Sequence, residues 1–194
     1  MLLLFMSLRK NNSDTAFVDS TPIRVCHNKR IFNHKVFDGI AARGKSTMGW
    51  FFGFKLHLVV DECGEIINAQ LTPGNCDDRA PVEDLVEHFR GKLFGDKGYI
   101  CQELFQKLYQ KGVKLVTGIK KRMKNMFMDM KEKILLRKRS IIETVFGYLK
   151  RTMMLEHTRH RSQKNMGIHV MSTLVAYQLL CEKPAITPIF QMVS

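Results

Sequence analysis

Hydrophobic residues along this chain come in short runs whose spacing changes from one segment to the next. From about Thr15 to Ile23 an apolar run that ends at Pro22 reads as a first strand. Trp50 to Val60 alternates: Phe52, Phe54, Leu56, Leu58 and Val60 fall on one face, against Gly53, Lys55 and His57 on the other. That two-residue period belongs to a strand. Asp61 to Gly64 reads as a turn and Glu65 to Leu71 as the return strand, making a hairpin. Asp77 or Asp78 is placed to cap a helix over Arg79–Phe89, with Pro81 tolerated in its first turn.

Lys92 to Gly95 reads as a short buried strand, Gln102–Gln110 as a helix ended by Gly112, and Val113–Ile119 as a fifth strand. The polar, basic stretch 24–48 reads as a long loop, and Ile168–Leu180 as an apolar helix that closes the core. This order of elements predicts an α/β fold with a mixed five-stranded sheet flanked by helices. Trp50 and the neighbouring phenylalanines, alternating in a strand, are expected to pack in the core rather than to stack on bases.

The helix that follows residue 138 is amphipathic. At roughly 100° per residue, with Arg139 at zero, Glu143 falls near 40° and Lys150 near 20°. Ile141, Ile142, Val145, Phe146, Leu149 and Met153 cover the opposite side and form the buried face. Arg139, Glu143 and Lys150 therefore share one polar stripe. By itself the Arg139–Glu143 spacing describes a surface ion pair worth a few tenths of a kcal/mol.

Charge changes the picture. The chain has 194 residues, enough for one domain, with 31 Lys plus Arg against 18 Asp plus Glu and a net charge of +13. Such an excess favours a polyanionic partner, because every phosphate neutralised releases condensed counterions. Lys120–Arg139 alone holds nine basic residues, including Lys120, Lys121 and Arg122, against two acidic ones. A phosphate-gripping role for that segment is expected, since it leads straight into the helix bearing Glu143. His157, Arg159, His160 and Arg161 form a second cationic turn, which a DNA backbone or plain solvent would suit equally.

Several functions are excluded. Five scattered cysteines with no C-x-x-C pair support neither a disulfide frame nor a zinc site. The opening MLLLFMSLRK carries its charge after its apolar stretch, unlike a secretory signal, and no apolar run approaches the ~20 residues of a membrane helix. A cytoplasmic, nucleoid-associated location is expected. Gly39 to Ser46 fits G-x4-G-K-S, but an aromatic strand follows where a nucleotide-binding loop needs a helix. Lys45 and Arg43 remain candidates for touching DNA from that loop.

Three acids stand out in three settings: Asp19 in the first strand, Asp96 after the fourth, and Glu143 on the basic helix. Strand ends gather distant residues at one edge of a sheet, and a helix beside that edge can add a third carboxylate. In a basic chain, such a cluster has an obvious use in holding divalent metal against a nucleic-acid phosphate.

At these residues the chain resembles a known family. The segments VDSTPI, GKSTMGWFFGFKLHLVVD, TPGNCDDRAP, KLFGDKGYI, LLRKRSIIETVFGYLK and EHTRHRS are similar to the catalytic domain of bacterial insertion-sequence DDE transposases, over roughly Thr15 to Lys183. The resemblance implies an RNase-H-like fold with Asp19, Asp96 and Glu143 as catalytic and metal-binding residues. It implies two Mg²⁺ or Mn²⁺ ions, DNA strand cleavage and strand transfer, and a homo-oligomer acting on terminal inverted repeats and target DNA.

Related transposases carry Tyr-x2-Arg-x3-Glu-x6-Lys around the glutamate. Arg139, Glu143 and Lys150 keep that spacing, and Leu136 stands where the tyrosine would. Arg139, Lys150, Lys120, Lys121, Arg122 and Lys45 are the expected DNA contacts. Relatives also have a helical N-terminal DNA-binding region. The chain therefore reads as an N-terminally truncated copy: a remnant segment over 1–14, the catalytic domain over 15–183, and a tail over 184–194. Alternatives are a non-catalytic DNA-binding remnant, or another RNase-H-like nuclease such as a junction resolvase.

Overall fold

The computed structural model of the protein describes residues 4, 5, 7, 13–119, 128–156 and 160–186. Strand β1 (Thr15–Cys26) is the centre of the sheet. It pairs antiparallel with β3 (Gly49–Asp61) along its whole length and parallel with β5 (Gly91–Gly95) over its first three residues only. β3 in turn pairs with β4 (Ile66–Pro73), and β5 with the parallel β6 (Val113–Thr117). The order β4-β3-β1-β5-β6, antiparallel on one side of β1 and parallel on the other, is RNase-H-like, as the sequence implies.

A sixth strand, β2 (Ala42–Ser46), lies inside the stretch expected to be loop. It pairs antiparallel with the first five residues of β3, on the edge that β4 occupies further along. The missed signal is a hairpin, with Thr47-Met48 as the turn between Ser46 and Gly49. This strand also settles the G-x4-G-K-S pattern, which runs into a hairpin and has no helix start to cradle a phosphate.

β1 also runs past the expected end at Pro22, to Cys26. In an antiparallel pair a residue's N–H and C=O point to the same side. The Pro22 carbonyl accepts from Lys150 Nζ at 2.6 Å and the Arg24 N–H donates to Glu156 Oε1 at 3.3 Å. Both positions thus face away from β3, and the N–H that proline lacks removes no bond from that ladder.

Helices cover both faces. Alternation along β1 sends Ala16 and Val18 to one side and Phe17 to the other. On the first side pack α1 (Val82–Leu85) and α2 (Gln102–Gln110), through Val82, Leu85, Leu104 and Leu108. On the second pack α4 (Ser140–Arg151) and α5 (Gln163–Gln178). The apolar stripe expected of α4 is the buried one: Ile141, Ile142, Val145, Phe146 and Leu149.

Two helices differ from expectation. The one foreseen over Arg79–Phe89 is a single turn, α1, with no side-chain cap at its start. Asp77 bends back to the Arg79 N–H and guanidinium, and Asp78 is drawn towards Lys55, so neither is free to cap it. Conversely, α3 (Met130–Arg137), capped by Asp129, forms within the basic segment. Its Glu132 is buried between Lys92 and Lys114, which tie the helix to β5 and β6.

Candidate active site

The sheet register brings the two aspartates together. β1 and β5 are parallel, with Phe17 opposite Phe94. Two residues beyond that last pair stand Asp19, still in β1, and Asp96, just past the end of β5, close enough for their charges to interact. Asp19 shares the face of Phe17, towards α4. β5 ends at Gly95, whereas β1 continues, and the chain turns away through a 3-10 turn at Lys97–Tyr99. Asp96 caps that turn, its Oδ1 accepting from the Gly98 N–H at 2.6 Å.

Asp19 is the hub. Its Oδ1 accepts from the Ser20 N–H at 2.8 Å, and its Oδ2 accepts from the Arg139 guanidinium at 2.9 Å. Arg139, just before α4, donates its other arm to Glu143 Oε1 at 3.1 Å. One guanidinium thus spans Asp19 and Glu143. Glu143 lies in the first turn of α4, where the helix dipole favours a carboxylate. Burial pushes the Asp19 carboxyl up to about 6, and nearby Asp96 adds to the rise, against the Ser20 N–H and Arg139, which hold it down.

Asp19 and Asp96 line a cleft of about 640 Å³. Its walls also carry Asp78, expected from the sequence to cap a helix, and Lys55 and Tyr99, which sequence reasoning placed in no site. Asp78 Oδ1 accepts from Ser20 Oγ at 2.7 Å and from Lys55 Nζ at 2.9 Å, and Lys55 also donates to the Cys76 carbonyl. Tyr99 is 2% exposed, and its hydroxyl has no partner among the described residues. Burial, then the charges of Asp19, Asp78 and Asp96, push that phenol above its ordinary range. A usable signal existed for Lys55 and His57, two polar residues on a strand flanked on both edges and covered on both faces.

Of the expected DNA contacts, Lys45 lines the same cleft from β2, facing Trp50 across the hairpin. Trp50 is 51% exposed, so the expectation of core packing fails there, because β3 projects past the sheet to pair with β2. Lys150 points elsewhere: besides the Pro22 carbonyl, its ammonium pairs with Glu156 at 3.4 Å, and burial lowers its pKa. Lys120, Lys121 and Arg122, with His157 and Arg159, lie outside the described residues. Leu136 packs, partly buried, against the core.

Among the described residues no three His, Cys, Asp or Glu side chains stand close enough together to hold a metal ion as they are. The donor chemistry nonetheless fits a hard divalent cation, because carboxylate oxygens are what Mg²⁺ prefers. The cluster already draws in a cation, with the Arg139 guanidinium between Asp19 and Glu143.

A family model described as a transposase DDE domain matches residues 9–163. No curated protein matches the chain. Among solved structures, one similar chain is in an intasome of simian T-cell lymphotropic virus in complex with the PP2A regulatory subunit B56 gamma. Identity to it is 15%, the TM-score is 0.44, and the match covers 91% of this chain and 53% of that one. The chain thus spans about half the length of that relative. The family model covers most of the chain, and on that match this protein belongs to the transposase DDE domain family.

Proposed function

We propose that the chain is a transposase catalytic domain that cuts DNA strands and joins the freed 3′ ends to target DNA. Asp19, Asp96 and Glu143 are its acidic residues. The observation that supports this most is the shared guanidinium of Arg139, which ties a strand carboxylate to a helix carboxylate beside Asp96. These three acids would hold Mg²⁺ or Mn²⁺, which when bound neutralises the phosphate and activates the attacking oxygen.

The chain's own residues do the rest. The Ser20 N–H and the Gly98 N–H fix one oxygen each of Asp19 and Asp96, and the second oxygen of Asp19, which accepts from Arg139, faces a ligand once that guanidinium moves away. Arg139 is a planar two-armed donor whose present acceptors are both carboxylates. A DNA phosphate offers it a matching pair of oxygens, so Arg139 can move from the acids to the substrate. Lys45 and Arg43 supply further positive charge on the cleft wall. Terminal inverted repeats and target DNA are the proposed substrates, handled by a homo-oligomer.

Glu143→Gln tests this reading. It keeps the shape and the helix but removes a charged oxygen donor. Cutting of a DNA duplex carrying the terminal repeats should be lost in the presence of Mg²⁺, with DNA affinity near that of the unaltered protein. Persistent nicking by the variant would sink the assignment. A supply of pre-cut 3′ ends separates a transposase, which joins them, from a nuclease, which does not.

A further inference from the structure

Besides its acidic end at Asp19 and Asp96, the cleft is lined by Trp50 with Arg43 and Lys45, and the strand-cutting reading uses the two cations but not the indole. Trp50 lines the cleft half exposed, which is unusual for the largest apolar side chain. Its backbone is held in place. Its carbonyl accepts from Asn28 Nδ2 at 2.8 Å, and its strand is paired with β2 on one edge. The Arg43 guanidinium stands 5.0 Å and the Lys45 ammonium 5.8 Å from the centre of its ring.

Gly44, between those two cations, lets β2 press onto the chain at Gly74. A Cβ there would run into the Gly74 carbonyl and the Phe51 ring. The hairpin is therefore held against the cleft, with its indole and both cations on the cleft wall.

We propose that Trp50, flanked by Arg43 and Lys45, is a stacking subsite for an unpaired nucleobase of the DNA strand whose phosphate is held at the acidic end. The inference rests on the proposed strand-cutting function and adds to it a contact with the bases. A rigid indole offers a face to any base, and two adjacent cations suit the phosphates on either side of that base. Bases inside a duplex are covered on both faces, so the subsite selects strands that are open next to the cut. A protein partner would use the indole as an apolar anchor and would show no preference among DNA forms.

Trp50 is the only tryptophan in the chain, so intrinsic fluorescence reports on this residue alone. Three DNA probes are compared: a blunt duplex, the same duplex with a short single-stranded tail, and one whose tail is abasic. The abasic tail keeps the phosphates and lacks the bases. The base-bearing tail should quench the indole and bind more tightly than the abasic one, with affinity read from the anisotropy of labelled DNA. Trp50→Ala should weaken binding of the base-bearing tail about tenfold, to the abasic level, and Trp50→Phe should restore most of it.

Equal affinity and no quenching for base-bearing and abasic tails would overturn the subsite and leave the strand-cutting reading standing. Failure to bind any of the three probes would overturn both. Preserved stacking in a protein whose Glu143→Gln variant still cuts would instead remove the parent reading and keep the subsite.

Discussion

Arg139 reaches a carboxylate 120 residues away in sequence and another on the next turn of its own helix. Such double contacts decide how individual side chains behave here, and His57 is the buried counterpart. It is fully enclosed, its Nε2 is within 2.8 Å of the Thr72 hydroxyl, and burial lowers its pKa to about 4. Asp78 opposes that shift and Lys55 assists it. The unfolded imidazole takes up its proton near its ordinary 6.5, whereas folded His57 resists until about 4. Stability contributed by this residue is therefore complete above that upper value and falls as pH drops towards the lower one. The total loss is about 3 kcal/mol. Urea denaturation at a series of pH values should show this decline, and His57→Gln should flatten it. An unchanged slope in the variant would assign the decline to other groups.

At the scale of elements, the edge of β1 beyond its pairing with β5 is finished by side chains of α4 and the segment after it. Lys150 and Glu156 each satisfy one backbone group of β1 and pair with each other. Lys150→Ala leaves the Pro22 carbonyl and the Glu156 carboxylate without that partner. It should lower stability by about 1–3 kcal/mol, measured by denaturant unfolding. A double-mutant cycle with Glu156→Ala should show coupling between the two. If Lys150→Ala weakens DNA binding and leaves stability untouched, the strand-edge role is wrong.

The same elements mark what the sequence reveals. Segments with strong periodicity were legible: the β3–β4 hairpin, the strand before Asp96, the helix Gln102–Gln110 and the apolar stripe of α4 all form. The pairing of Arg139 with Glu143 was legible through the shared stripe of the helix, whereas the contact of Arg139 with Asp19 joins residues 120 apart, which helical spacing cannot register. Lys150 lies on that stripe by angle, yet its long chain bends to a strand carbonyl, which helical spacing does not register. β2 was missed because its five residues include Arg43, Gly44 and Lys45, a composition that becomes a strand only through pairing with β3. Asp78 was misread because its partners, Ser20 and Lys55, are distant in sequence.

For the whole molecule, a net charge of +13 makes DNA affinity strongly salt-dependent on the proposed reading. The logarithm of affinity should fall linearly with the logarithm of salt, with a slope of about −0.9 for each phosphate contacted. Lys45→Ala should reduce that slope by about 1, measured by anisotropy titrations across a salt series. A slope that does not change would remove Lys45 from the contact surface.

The placement of Arg139 also has a consequence for synthesis. β1 is made first and occupies the middle of the sheet, but the guanidinium that gathers Asp19 and Glu143 arrives only when the ribosome has passed residue 139. Contacts of such long range form slowly and late. An unfinished polypeptide therefore carries Asp19 and Asp96 with neither Arg139 nor Glu143, and the third acid and its tether are delivered together in one helical turn. Assembly of the acidic centre in this way waits for translation of the helix that carries Glu143.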